Sequence, residues 1–285
     1  MPTGRHIAVE TAVLPIHENV QLERRVIGFT EPSVFTSEVG TMVEKYYKAV
    51  PIKLSQNGET DLTYMLDMVD GVILAGGSDI FPGTYGEEVT NGDGLTKFDI
   101  TRDKREIFIL KYCIQHNIPL LLICRGFQLV CVMADKELRK NFWKDIGGFH
   151  IAHQPGGDSI KLNVEAGEFA HYVKCLPEFH DKYFAKEGVN SHHHQGVVYE
   201  DDVNEYGGII RVVGTAFLHD FGQKNGGETH IIELIEGINK PIVGCQFHCE
   251  EDWMYGNKAS LSVMNEFKRL MDEVVIDAAV VESQE

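Results

Sequence analysis

The sequence predicts an α/β fold: a mostly parallel central sheet flanked by helices, with a small antiparallel β excursion beside it. Short apolar runs alternate with helical patterns through the first half of the chain, the signature of βαβ units. Two of those runs, Gly71 to Leu74 and Leu120 to Ile123, are apolar at nearly every position, as strands covered on both faces are. With 285 residues, 43% of them hydrophobic, the chain can also build a sizeable core. No repeat and no separating linker interrupts it, so a single domain is expected over 1–285, with residues 1–24 and 273–285 peripheral.

The elements follow in order. Arg25 to Thr30 reads as the first strand. Val43, Tyr46, Tyr47 and Val50 fall at helical spacing, and Pro51 is expected to end that helix before a short strand, Ile52 to Leu54. The strand at Gly71 is closed by Ala75, Gly76 and Gly77. A helix from about Arg102 carries Ile107, Leu110 and Ile114 and stops at His116 and Asn117 ahead of Pro119. Leu120 to Ile123 then leads into a helix over Phe127 to Met133. Gly147 to Gly157 is loop-like, and Ser159 to Val164 reads as a strand. The antiparallel excursion is placed at 150 to 235, with β-rich runs at Gly208 to Val213 and Thr229 to Leu234. Pro241 to Phe247 leads directly into His248, and the last helix carries Met264, Phe267 and Met271 before an acidic, solvated tail.

Charge and cysteine usage narrow the function. Against 26 Lys and Arg stand 43 Asp and Glu, a formal charge of −17, which repels phosphate backbones and anionic lipid; no nucleic-acid or membrane partner is expected. With no spanning-length apolar run and no signal-peptide pattern, a cytoplasmic location is expected. The six cysteines form no CxxC pair, so reduced thiols are expected in place of zinc ligands or disulfides.

One of these thiols stands apart. Cys124 lies in PLLLICRGFQLV, where a buried strand meets a helix with Gly126 two residues on. Such a turn pushes a nucleophile out of the sheet, and an adjacent helix N-terminus stabilises a thiolate. Cys113 and Cys131 read as packing. A base for the thiol is offered by His248 at the end of another buried strand, with Glu250 two residues later able to project to the same side and fix the imidazole tautomer. Together they describe a Cys-His-Glu arrangement.

At this point the chain resembles the γ-glutamyl-γ-aminobutyrate hydrolase family, stand-alone members of the class I glutamine amidotransferase-like superfamily. Five segments carry the resemblance in order: LAGGSDIFPGTYGEE, FDITRDKRE, PLLLICRGFQLV, VNSHHHQGV and IVGCQFHCEE. The resemblance implies a flavodoxin-like sheet and a hydrolase with Cys124 as nucleophile, His248 as general base and acid, and Glu250 as its orienting carboxylate. It implies an oxyanion hole from the backbone N–H of Arg125 with Gly76 or Gly77, and a glutamyl pocket lined by Gln128, Asn190, Ser191 and His192, with Asp79 and Tyr85 at its mouth. The usual Trp-His-Pro-Glu is here Phe247, His248, Cys249, Glu250, which puts a second thiol where the family has proline.

The implied reaction is cleavage of a small γ-glutamyl amide, γ-glutamyl-aminobutyrate or a γ-glutamyl-polyamine, through a thioester, with no cofactor. The alternative is a glutaminase subunit that feeds ammonia to a separate synthetase partner; a homodimer is compatible with either. A catalytically silent binding protein and a folate-polyglutamate hydrolase are further alternatives. His192, His193 and His194, with His150 and His153, invite a metal reading, but three consecutive histidines on an extended segment cannot all face one ion, and no metal is expected. The Gly76 to Gly83 turn lacks the spacing of a phosphate cradle, Arg102 and Asp103 read as a structural helix-start pair, and Trp143 and Trp253 as packing or rim residues.

Overall fold

A computed structural model describes residues 24–31, 36–54, 59–86, 98–139, 151–153, 171–193, 195–199, 203–219 and 228–282. Its strands in chain order are β1 (Val26–Phe29), β2 (Val50–Lys53), β3 (Gly71–Leu74), β4 (Leu120–Ile123), β5 (Ile151–His153), β6 (His171–Cys175), β7 (Lys186–Val189), β8 (Gln195–Val198), β9 (Glu205–Tyr206), β10 (Ile210–His219), β11 (Glu228–Gly237) and β12 (Ile242–Cys245). The helices are α1 (Thr36–Lys45), α2 (Glu59–Leu66), α3 (Ile100–His116), α4 (Arg125–Arg139), α5 (Cys249–Asp252) and α6 (Lys258–Glu282).

Five strands pair in parallel in the order β2-β1-β3-β4-β12, the flavodoxin-like arrangement. The expected antiparallel strands continue this same sheet: β11, β10, β6 and β7 follow β12 edge to edge, while β8 pairs with β11 and β5. Alternation along each parallel strand feeds two cores. Leu121 and Ile123 of β4 join Ile73, Val43, Met264 and Phe267 on the α1 and α6 side; Leu120 and Leu122 join Val72, Leu74, Leu62, Ile109 and Phe127 on the side of α2, α3 and α4. Every side chain of β3 and β4 is buried, which is why both were readable as uninterrupted apolar runs.

Several boundaries differ from expectation for physical reasons. The first helix stops at Lys45, and Val50 and Pro51 belong to β2, not to the helix. Lys48 at φ 56 turns the chain between them, and β2 lies at the end of the sheet order, where a proline removes no ladder donor. The α2 helix has no counterpart in the sequence pattern described above. Helix α3 starts at Ile100, capped by the Asp99 carboxylate accepting from Thr101 and Arg102, and ends on left-handed Asn117. Its deepest face is Arg102, Asp103, Glu106, Ile109, Leu110 and Cys113; Ile107 and Ile114 are only partly buried. Within the stretch expected to be loop, Ile151–His153 is a strand, and α6 runs on to Glu282 through the segment expected to be a solvated tail. The strand expected at 159 to 164 and residues 1–23 lie outside the described residues. No described helix is long and apolar enough to cross a membrane.

Candidate active site

The site forms where β3, β4 and β12 end side by side. Cys124 follows β4 directly and adopts φ 49, a left-handed conformation that a residue with a side chain rarely takes. Its backbone N–H donates to Cys245 O at 2.8 Å, and its own carbonyl accepts from Gln128 N at 3.0 Å, so the elbow is clamped between β12 and the first turn of α4. The tight turn requires Gly126. A Cβ there would lie 2.3 Å from the Leu74 carbonyl oxygen, because α4 starts pressed against β3.

His248 leaves β12 two residues after Gln246, and α5 begins at the next residue. Its Nδ1 lies 2.8 Å from Glu250 Oε1, and both side chains are almost wholly buried. The imidazole also meets Gly76, where a Cβ would come within 2.7 Å of His248 Cε1 and 3.5 Å of Cys124 Cβ, so base and cysteine flank the same turn. Burial works against an imidazolium here, but the Glu250 carboxylate and the neighbouring Cys124 side chain outweigh it and hold the His248 pKa well above its ordinary value. Burial pushes Cys113, Cys131 and Cys245 well up and Cys175 to about 12, which keeps them protonated and unreactive, and all six cysteines are free.

Around this line stand residues to which the sequence alone gave no such part. Gln246 donates from Nε2 to Cys124 Sγ at 3.6 Å, while its Oε1 accepts from Gln128 Nε2 at 3.1 Å; Gln128 thereby fixes which end of the Gln246 amide faces the sulfur. Asn190 is spent on the base: Oδ1 accepts from His248 N at 2.8 Å, and Nδ2 donates to His248 O and to Asp252 Oδ2, each at 2.8 Å. The adjacent Ser191 Oγ is buried with no hydrogen-bond partner among the described residues. His192 is exposed, stacks edge-on to His248 at 5.4 Å between centroids, and bonds through Nε2 to Glu251 at 3.0 Å.

Beneath the Gly76–Gly77 turn lies a buried ion network. Arg125 Nε donates to Ser78 O at 2.8 Å, and its guanidinium pairs with Glu106 and Asp103. Arg102 pairs with Glu106 through Nε at 2.7 Å and donates from Nη2 to Gly76 O at 2.9 Å. Asp103 in turn accepts from Phe81 N at 2.9 Å. Arg102 and Asp103 are thus structural, as expected, but what they shape is the turn over the nucleophile, and Glu106 at their centre was not foreseen. Gly77, at φ +152, has no room for a Cβ, which would fall 2.1 Å from Arg102 Nη1. Asp79 pairs through its backbone with Phe98, and Tyr85 packs against the α3 side of the core; both lie on the segment that follows the Gly76–Gly77 turn. Cys249, where the resembled motif has proline, occupies the first turn of α5 and points into the core beside Cys245 and Tyr47. Trp253 packs edge-on against Tyr46, and Trp143, His150 and His194 lie outside the described residues.

The chain is similar to known proteins in sequence and in fold. The chain is 28% identical over 207 residues to the glutamine amidotransferase-like protein YvdE of Lactococcus lactis, covering 72% of this chain and 74% of that one. It is 31% identical over 184 residues to Schizosaccharomyces pombe PB2B2.05, assigned as a glutamine amidotransferase, covering 64% of this chain and 62% of that one. Two solved structures share the fold at low identity. One is a Thermoplasma acidophilum protein assigned as a component of GMP synthase (TM-score 0.54, 13% identity, covering 90% of this chain and 98% of that one). The other is the Trypanosoma brucei CTPS glutaminase domain with bound acivicin (TM-score 0.50, 12% identity, 87% and 94%). The family model that matches, over residues 16–250, is Peptidase C26. The chain is a member of the Peptidase C26 family.

Proposed function

We propose that the protein is a cysteine hydrolase of small γ-glutamyl amides, yielding glutamate and a free amine such as γ-aminobutyrate or a polyamine. The observation that carries this reading is the line from Glu250 through His248 to a cysteine held at positive φ. His248 takes the thiol proton, and the thiolate attacks the γ-carbonyl carbon. The oxyanion is met by the N–H of Arg125, which as the first residue of α4 has no acceptor within the helix, and by that of Gly76 or Gly77. As the C–N bond breaks, His248 returns its proton to the leaving amine. Water, deprotonated by His248, then opens the thioester and restores the thiol with release of glutamate.

Ser191, with its buried Oγ, is the polar group in this reading best able to meet the glutamyl head, with Asp79 and Tyr85 toward the mouth. Gln128 and Asn190 act through Gln246 and His248 and are positioning residues. The −17 charge favours encounter with cationic glutamyl-polyamines over anionic glutamyl-aminobutyrate. The test compares wild type with Cys124→Ala on glutamine, γ-glutamyl-aminobutyrate and γ-glutamyl-putrescine. Glutamate release by wild type alone, with a γ-glutamyl adduct on Cys124 by mass spectrometry, is the expected result. No turnover of any of the three refutes a stand-alone hydrolase and turns attention to a glutaminase activated by a synthetase.

A further inference from the structure

We infer that His171, His193 and Glu233 form a binding site for a divalent cation of the zinc class, separate from the Cys124 line. The three residues come from different parts of the chain: the first position of β6, the segment after β7, and the middle of β11. They converge in the interior, with side-chain exposures of 7%, 2% and 0%. His171 Nε2 lies 3.0 Å and His193 Nε2 lies 3.8 Å from the same oxygen, Glu233 Oε1. One ligating atom from each residue falls within 4.8 Å of the other two.

The two histidine–carboxylate separations bracket what a cation needs. Bonds of roughly 2.0–2.1 Å in a tetrahedral shell place neighbouring ligand atoms about 3.4 Å apart, between the two distances found here. The chemistry matches too, since two imidazoles and one carboxylate are a zinc set that leaves a fourth position for an exogenous ligand. Polar satisfaction supplies an independent observation. Glu233 is wholly buried, its ion-pair partners among the described residues are these two histidines, and its Oε2 and the Nδ1 of His171 have no hydrogen-bond partner there. A carboxylate in that position is costly unless a cation compensates it. Of the consecutive histidines His192 and His193, the second contributes; its partners, a strand histidine and a strand glutamate, lie 22 and 40 residues away by number.

The location gives the cation a positioning role. His193 lies three residues after Asn190, whose amide holds both backbone atoms of His248, and Gln246 N donates to Glu233 O at 2.9 Å. Binding at His193 and Glu233 therefore ties the Asn190 segment to β11 beside the strand that carries the base. The experiment uses the full chain, stripped with a chelator and titrated with Co²⁺ as the optical probe, followed by thermal unfolding with and without Zn²⁺. Saturation near one equivalent, with the visible bands of tetrahedral Co²⁺, no near-ultraviolet thiolate charge-transfer band, and a raised Tm with Zn²⁺ is the expected outcome. In Glu233→Gln, affinity falls by more than about 100-fold. Absence of stoichiometric Co²⁺ binding by the wild type overturns the inference without reference to any variant. So does binding that survives Glu233→Gln or carries a thiolate band, since the first takes Glu233 out of the ligand set and the second puts a cysteine into it.

Discussion

Replacing Glu250 with Gln removes one charge from the base's support and leaves the shape of the side chain nearly unchanged. Glu250 Oε1 lies 2.8 Å from His248 Nδ1 with both groups shielded from water, so the bond is charge-assisted and little screened. A hydrogen bond to a charged group contributes about 1.5–3 kcal/mol. At about 1.36 kcal/mol per pH unit, losing it moves the alkaline limb of kcat/KM, where the imidazolium proton departs, down by about 1–2 pH units. The same energy lost from the transition state lowers kcat/KM by about 10- to 150-fold. If the new amide turns its NH₂ toward Nδ1, the wrong tautomer is trapped and the loss extends to about 10,000-fold. Stability follows the same group. The His248 pKa is raised in the folded protein, so its contribution is complete below about 6.5 and is lost as pH rises through the folded value. Wild-type Tm is expected to fall on the alkaline side, and Glu250→Gln to flatten that fall. The assay is glutamate release across pH 5 to 10 beside thermal unfolding in the same buffers. An unchanged kcat/KM with an unmoved alkaline limb refutes the coupling between Glu250 and His248.

Three further substitutions probe the scaffold of the site. Gly126→Ala drives a methyl group into the Leu74 carbonyl and is expected to cost about 1–3 kcal/mol or more in urea unfolding, with activity lost beyond the fraction unfolded. Arg125→Lys cannot keep Asp103, Glu106 and Ser78 together; with a buried carboxylate left unpaired, a loss of about 3–5 kcal/mol is expected, and wild-type stability in the variant would mean that the network does not hold the turn. Gln246→Glu sets a carboxylate where an amide donor faced the sulfur. That disfavours the thiolate, and iodoacetamide alkylation of Cys124 at pH 7 should slow by at least about tenfold, followed by mass spectrometry.

What was legible in the sequence was what depends on local pattern. Buried strands read as apolar runs, so β3 and β4 were readable to the residue, and Asn117 before Pro119 marked the end of α3. Local pattern misled where tertiary position decides. Val50 has the spacing of a helix face but pairs with Val26, and Pro51 is accommodated because β2 lies at the end of the sheet order. The Cys124, His248 and Glu250 constellation was readable because each member sits at a strand end or a few residues beyond one. Glu106 was not, since one acid among several on a charged helix has no signature until Arg125 folds onto it. Gln246 was within reach, lying in the quoted motif two residues before the base. Pairing His193 with His171 and Glu233 needed the sheet itself, because no spacing rule joins a loop residue to two distant strands.

The pairing of β4 with β12 has a consequence for robustness. Ile123 and Cys245 are register partners in adjacent parallel strands, so the nucleophile and the base leave neighbouring strand ends. The two points of departure are therefore one strand spacing apart, roughly 4.8 Å, a quantity that loops and surface helices cannot easily alter. Sequence drift in the connecting segments can remodel what enters the site while these two strand ends keep their span. The sheet thus anchors both members of the pair, and the Asn190 amide completes the placement of the base three residues beyond its strand.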